Sequence, residues 1–298
     1  MKVLGAIELG GTKTVCALVT AEGQLLEKTQ FPTLDPCQTF GKAIEFLRGQ
    51  SKPGEPVRAV GVGSFGPIDR NPASKNYGQI GTTTKKGWSE ANILQEIAGH
   101  IRVPVSIDTD VNCALLAEAK WGAGKNCDDV VYATIGTGIG AAFLSGGRLV
   151  NGQLHPEIGH MLIPAQVNDR DFGGSCPFHG SRCVEGQAAG PAITQRWGTD
   201  AERLSDSHPA WELEAKYLAV LCTNLFLAVA PQKIILGGGV MKRKHLFGLV
   251  RSEMRECLNG YINLDDWNKS LNDLIVPVAL GGNAGVLGAS IIAAGHCP

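Results

Sequence analysis

Ile7–Leu18 reads IELGGTKTVCAL, and Ala133–Leu144 reads ATIGTGIGAAFL. Each is an apolar run, a glycine–threonine turn and an apolar return run. That pattern predicts strand, tight turn, strand in both places. Two such hairpins about half a chain apart point to an internal duplication of one fold unit. Outward from the first, Gln24–Phe31 reads as a third antiparallel strand and Thr39–Arg48 has helical spacing. Arg58–Gly63 and Val103–Ile107 read as buried strands, and Val111–Trp121 as a helix. Beyond the second hairpin, Gly146-Gly147 turns into a further strand. A long helix starts near Trp211 and ends by Pro231. KIILGGGVM (Lys233–Met241) is a strand running into glycines, followed by a helix over Arg243–Leu258. The tail from Leu274 is a strand and then a Gly/Ala-rich helix. Strands alternating with helices make the class α/β.

WGAGKNCDD (Trp121–Asp129) interrupts two periodic segments and marks a boundary. The expected division is a first lobe over residues 1–122 and a second over 123–282. The C-terminal helix, at about 283–298, is expected to rejoin the first lobe.

Composition excludes several classes. The 298 residues are 44 % hydrophobic and 18 % charged, which suits a globular chain with more than one core. A formal net charge of −1 gives no electrostatic case for nucleic acid or an anionic membrane as partner. The start, MKVLGAIELGG, reaches Glu8 and glycines too early for a signal peptide, and no apolar run is long enough to span a bilayer. A cytoplasmic protein is expected. Cys16, Cys113 and Cys222, among nine cysteines, sit in apolar segments and read as reduced core residues. Asn268-Lys269-Ser270 matches a glycosylation acceptor, which carries no meaning without secretion.

No G-x-x-x-x-G-K-[ST] loop occurs. GVGSFG (Gly61–Gly66) matches a dinucleotide fingerprint, but Pro67 follows where a helix must open, so that reading is rejected. The glycine–threonine turns remain, with Gly237-Gly238-Gly239 as a third cluster. Such turns expose backbone N–H groups that cradle phosphate oxygens.

Two aspartates, Asp108 and Asp110, end a strand before a helix. Either carboxylate is placed to cap that helix or to accept a proton from a hydroxyl. Cys176-x2-His179-x3-Cys183, with His160 upstream, supplies the four N/S ligands of a structural zinc site. His155 competes with His160 as the fourth ligand. Four protein ligands leave no open position, so the metal is structural.

Seven motifs in order carry a family resemblance: ELGGTKT (Glu8–Thr14), GSFGPID (Gly63–Asp69), DTDVN (Asp108–Asn112), TIGTGIG (Thr134–Gly140), HPEIGH (His155–His160), CPFHGSRCVEG (Cys176–Gly186) and LGGGV (Leu236–Val240). Together they resemble the ROK (repressor/ORF/kinase) sugar kinases, and most of all their bacterial zinc-containing fructokinases. The resemblance implies an actin-like ATPase fold, in which two ribonuclease-H-like lobes close on ATP across a central cleft. It implies Asp110 as general base, taking the O6 proton of the sugar. It implies sugar contacts from Gly63, Ser64, Gly66, Thr109, Asp110, Glu157, His160 and Glu185. Nucleotide contacts fall on Gly10, Gly11, Thr12, Lys13, Thr134, Gly136, Thr137, Gly138, Pro191, Gly237, Gly238, Gly239 and Val240. Zn²⁺ falls on His160, Cys176, His179 and Cys183, with Mg²⁺ accompanying ATP, and the protein is implied to be a homodimer. The chain departs from the family pattern at three points. Glu8 replaces Asp, Thr109 replaces Asn, and Phe178-His179 replaces a cysteine; the first and third are shared with the fructokinase branch.

The implied activity is phosphorylation of D-fructose to fructose 6-phosphate. Glucose, mannose or an N-acetylhexosamine is the alternative acceptor. A non-catalytic sugar-sensing regulator is the alternative of another class. It needs a DNA-binding segment before the first hairpin, which starts here at residue 3 with no room for one. An actin- or chaperone-type ATPase shares the fold but has no need of the cysteine–histidine loop.

Overall fold

In the computed structural model, which describes residues 2–49, 56–267 and 269–295, the chain forms two units. One takes in Met1–Trp121, Asn151–His155 and Leu280–Pro298; the other takes in Gly122–Val150 and Pro156–Ala279. The glycosylation-like Asn268 and the last residues of the expected terminal helix lie outside the described residues.

The first unit opens with β1 (Val3–Leu9), β2 (Lys13–Thr20) and β3 (Leu25–Pro32), an antiparallel meander. Helix α1 (Pro36–Gly49) follows, then β4 (Val57–Ser64), α2 (Ile93–Ala98), β5 (Val105–Thr109) and α3 (Asp110–Trp121). The sheet order is β3-β2-β1-β4-β5, with β4 parallel to both β1 and β5. β5 starts two residues later than the sequence predicts. Pro104 has no N–H for a ladder, and its carbonyl instead accepts from Val60 N–H at 2.9 Å. No helix follows GVGSFG before α2, as Pro67 led the sequence reading to expect.

The second unit holds β6 (Val130–Ile135), β7 (Ile139–Ser145), β8 (Arg148–Leu149), α4 (Val184–Ala188), α5 (Gly190–Trp197) and α6 (Ala210–Val229). It continues through β9 (Lys233–Gly237), α7 (Lys244–Leu258), α8 (Leu271–Leu274) and β10 (Ile275–Pro277). Its sheet runs β10-β9-β6-β7-β8, again an antiparallel meander flanked by two parallel strands. Taken in chain order, both sheets arrange their strands 3-2-1-4-5. The duplication inferred from two hairpins thus extends over ten strands.

Helix α9 (Ala284–Ala294) returns to the first unit. It is apolar on nearly every side, as a helix buried all round must be. With α3 it covers one face of the sheet, where Val286, Leu287 and Ala289 meet Ala6, Val15, Ala17, Cys113 and Ala117. The other face packs Phe40, Ile44 and Leu47 of α1 and Ile93 and Ile97 of α2 against Ile7, Val60 and Val62. The second core centres on Trp211, Tyr217, Leu218 and Leu221 of α6. Cys16, Cys113 and Cys222 are buried thiols without disulfides. Among the described residues, no helix is long and apolar enough to cross a membrane.

Candidate active site and metal centre

In the first unit, three strands deliver chemistry to one end of the sheet. The register sets Glu8 beside Gly63 and Gly63 beside Asp108, with Ser64 beside Thr109 one step on. These are the carboxyl ends of parallel strands, where open α/β sheets take their ligands.

Asp108 is tied into the protein by three neighbours. One oxygen meets Arg70 Nε at 2.7 Å and accepts from Thr109 N–H at 2.6 Å and Asn112 Nδ2 at 2.7 Å. The Arg70 pair is held by charge, since that N–H is not aligned on the oxygen. Burial raises the Asp108 carboxyl, and Arg70 pulls it back. Asp110 opens α3, but the cap is made elsewhere. Asn112 N–H donates to Thr109 Oγ1 at 3.1 Å, and Asp110 Oδ1 accepts from the adjacent Val111 N–H at 2.9 Å. The capping duty considered for Asp110 therefore belongs to Thr109, a buried side chain. Ser64 is also buried, and its hydroxyl donates to Phe65 C=O at 2.9 Å.

The turn Gly10–Lys13 is braced from β3's end. Gly10 N–H donates to Lys13 C=O at 3.0 Å, Thr33 N–H to Thr12 C=O at 2.9 Å, and Thr33 Oγ1 to Gly10 C=O at 2.7 Å. Gly11, Thr12 and Lys13 stay exposed. Gly66 precedes a loop fixed by His155, whose Nε2 accepts from Ile68 N–H at 3.2 Å. Asn151 accepts from Arg70 Nη2 at 2.8 Å, so the segment Asn151–His155 anchors the loop that carries Arg70. His155 is engaged here, in the first unit, and is not part of the cysteine–histidine cluster.

In the second unit, the cluster assembles as the spacing predicts. Ligand atoms of His160, Cys176, His179 and Cys183 all lie within 4.8 Å of one another. Cys176 Sγ is 3.8 Å from His160 Nδ1 and 3.7 Å from His179 Nδ1, and Cys183 Sγ is 4.0 Å from His160 Nδ1. Tetrahedral zinc with its usual bond lengths sets S···N edges of about 3.5 Å, so the donors fit that ion in number, type and spacing. Gly174 and Gly180 take positive φ (82° and 57°) to fold the loop this tightly. Burial pushes the Cys183 thiol up to about 11, the neighbouring Cys176 adding to the rise. Cys183 also caps α4, accepting from Gly186 N–H at 3.4 Å.

Glu157, His160 and Glu185 are brought together. Glu157 is exposed by surface area, yet the atoms around its carboxyl are dense enough to raise it; His160 lowers it and Glu185 raises it further. Glu185 has a second task invisible in sequence. Its Oε2 accepts from Ile139 N–H at 2.9 Å, tying the loop to the end of the second glycine turn. That turn meets the third glycine cluster. Gly190 N–H donates to Gly136 C=O at 2.7 Å, just before Pro191 in the first turn of α5. Gly238, at φ 93°, lies so close to Ile135 C=O that a Cβ there would sit 2.2 Å away. Thr134, Gly136, Thr137, Gly138, Pro191 and Gly237–Val240 therefore converge on one end of the second sheet.

Arg196 is the residue the sequence reading missed. Its Nε donates to Asp169 Oδ1 at 2.9 Å, Nη1 and Nη2 to Gln187 C=O at 3.0 Å each, and Nη2 to Gln187 Oε1 at 2.8 Å. Its guanidinium stacks 3.9 Å from the Phe172 ring centre, and Tyr217 OH donates to Asp169 Oδ2 at 2.7 Å. One cation thus pins the C-terminal part of α4, which carries Glu185, to the loop before Cys176. Removing one partner of a buried pair strands the other charge, at about 3–5 kcal/mol. Arg196→Met is expected to lose stability of that order in urea unfolding. An unchanged midpoint would show the network to be dispensable.

Two units with one topology, each ending in a glycine turn at the strand ends, define a duplicated actin-like ATPase fold. The ROK family model matches residues 4–296, and the chain belongs to that family. It is 40 % identical to a fructokinase of Pediococcus pentosaceus over 98 % of this chain and 97 % of that one. It is 37 % identical to a fructokinase of Zymomonas mobilis over 98 % and 96 %. Among solved structures, a ROK hexokinase from Thermus thermophilus superposes with a TM-score of 0.77 at 25 % identity, covering 98 % of both chains. A ROK glucokinase from Streptomyces griseus, in complex with glucose and AMPPNP, has the same fold at a TM-score of 0.80 and 22 % identity, over 98 % of this chain and 99 % of that one.

Proposed function

We propose that the protein is an ATP-dependent kinase that transfers the γ-phosphoryl group to O6 of D-fructose, giving fructose 6-phosphate. The observation that carries this reading is its near-full-length similarity to several fructokinases, joined to the strand-end placement of the glycine turns and Asp110. Asp110 takes the proton of the attacking hydroxyl. In the first unit, Gly63, Ser64, Gly66 and Thr109 shape the sugar's surroundings; in the second, Glu157, His160 and Glu185 bond its hydroxyls. The exposed turn Gly10–Lys13 and the converging turns of the second unit hold the nucleotide phosphates through backbone N–H groups. Mg²⁺ favours hard oxygen donors, one or two carboxylates together with phosphates, and Glu8 is a carboxylate in the right register for that set. When bound, it neutralises charge on the phosphates. Zn²⁺ on His160, Cys176, His179 and Cys183 is structural: it fixes the backbone that aims Glu157 and Glu185.

The test is turnover of a hexose panel with ATP. Pockets that hydrogen-bond a sugar reject a mismatched one because buried polar groups go unpaired, at ~1–3 kcal/mol each. One such group suffices for the expected result, a kcat/KM for fructose about tenfold or more above that for glucose. Equal efficiency, or preference for glucose, mannose or an N-acetylhexosamine, refutes fructose while leaving the kinase intact.

A further inference from the structure

The departure at Glu8 has a counterpart 277 residues away. A Cβ built on Gly285 would lie 2.2 Å from Glu8 Cδ, 2.5 Å from Oε2 and 2.7 Å from Cγ, and these are its three nearest neighbours. Gly285 is the second residue of α9, and the other two glycines at this contact behave differently. A Cβ on Gly288 would strike Cys113 C=O at 1.6 Å, and one on Gly61 would strike Ala289 C=O at 1.8 Å. Those two let backbones approach. Gly285 leaves room for one side chain, and that side chain is a carboxylate.

Around this carboxyl, burial and positive charge oppose one another. The first N–H groups of a helix have no intrahelical acceptor, and its N-terminus carries partial positive charge. Asn283, at the start of α9, makes no side-chain cap bond to it and instead accepts from Lys28 Nζ at 2.6 Å. Burial raises the Glu8 carboxyl, while Lys13 and Lys28 pull it down.

We infer that Gly285 is a positioning residue for the kinase reaction: it opens the space that seats the Glu8 carboxylate at the phosphate end of the first glycine turn. This rests on the kinase reading above. Because the atoms in the way are the far end of a flexible side chain, Gly285→Ala displaces the carboxyl rather than the helix. Misplacing a positioning group by about 1 Å costs up to ~10²-fold in rate.

The test is a double-mutant cycle of Gly285→Ala with Glu8→Ala, read by kcat/KM, by calorimetric affinity for Mg·ATP and by thermal midpoint. Gly285→Ala alone is expected to lose about 10²-fold in kcat/KM and to weaken Mg·ATP binding. In the Glu8→Ala background it is expected to cost nothing further in any of the three, because no carboxyl remains to displace. Gly288→Ala, the control, is expected to lower the midpoint whether or not Glu8 is present. If Gly285→Ala fails to fold, the double variant must recover; a double variant that also fails places the clash on the backbone and overturns the proposal. Near-wild-type activity of Gly285→Ala, or losses that simply add, also overturn it. A wild-type protein that phosphorylates no hexose refutes the kinase reading instead, and the cycle in Mg·ATP affinity and midpoint still decides the role of Gly285.

Discussion

Asp110→Asn is expected to lower kcat by ~10²–10⁴-fold, the range that loss of a general base costs, while sugar binding changes far less. The substitution is clean for structural reasons. An asparagine keeps the size and an Oδ1 that can still accept from Val111 N–H, as Asp110 does at 2.9 Å. The helix cap does not depend on it, because Thr109 makes the cap. Removing a charge near the start of α3 costs about 0.3–1 kcal/mol in stability. Activity and stability therefore separate. The same change at Asp108 is expected to do the reverse, acting first on folding, because that carboxylate pairs with the Arg70 charge while accepting bonds from Thr109 and Asn112. Near-wild-type turnover by Asp110→Asn would sink the base assignment, and a catalytic loss confined to Asp108→Asn would move it.

The sequence revealed those features whose cause is local. IELGGTKTVCAL and ATIGTGIGAAFL fold as hairpins because apolar alternation and glycine turns act within a dozen residues, and their Leu9↔Thr14 and Ile135↔Ile139 pairings close the turns as read. Likewise Cys176-x2-His179-x3-Cys183 is close in space because it is close in sequence. Features built by distant partners gave no signal. Helices α4 and α5 are too short to stand on propensity; they are held by Arg196 on Gln187 and by Gly190 on Gly136. Glu185 looked like a sugar ligand and nothing more, since its bond to Ile139 N–H spans 46 residues. His160 was the preferred fourth ligand in sequence and His155 its competitor; the fold groups His160 with the two cysteines and His179, while His155 accepts from Ile68 N–H. The long helix ends at Val229, before the expected Pro231, because Ala230 turns left-handed (φ 43°).

Protein purified without chelators is expected to hold one zinc per chain, and Cys176→Ala or Cys183→Ala is expected to lose it. The consequences follow from how the loop is built. Its backbone contacts are mostly short-range turns and cross-links: Gly180 N–H to Cys176 C=O at 2.8 Å, Arg182 N–H to His179 C=O at 3.1 Å, Ser175 N–H to Gly186 C=O at 2.9 Å, Ile163 N–H to Arg182 C=O at 3.0 Å and Val184 N–H to Met161 C=O at 3.0 Å. Phe178 is exposed, so no apolar core of the loop replaces the metal. Structural zinc contributes about 10–16 kcal/mol of apparent binding free energy in small domains. Only a part falls on stability here, since the second unit has its own core around Trp211 and Tyr217. Even a loss of about 3 kcal/mol lowers the thermal midpoint by roughly 5 °C in a chain of 298 residues. Activity should fall with it, mainly as a raised KM for the sugar, because Cys183 caps the helix that carries Glu185 and His160 lies beside Glu157. Cys37→Ala, an exposed cysteine on α1, is the control and should keep metal, midpoint and activity. Elemental analysis showing no bound metal in the wild-type protein would refute the four-ligand site. Retention of zinc by Cys183→Ala would instead leave His160, Cys176 and His179 as the binding set.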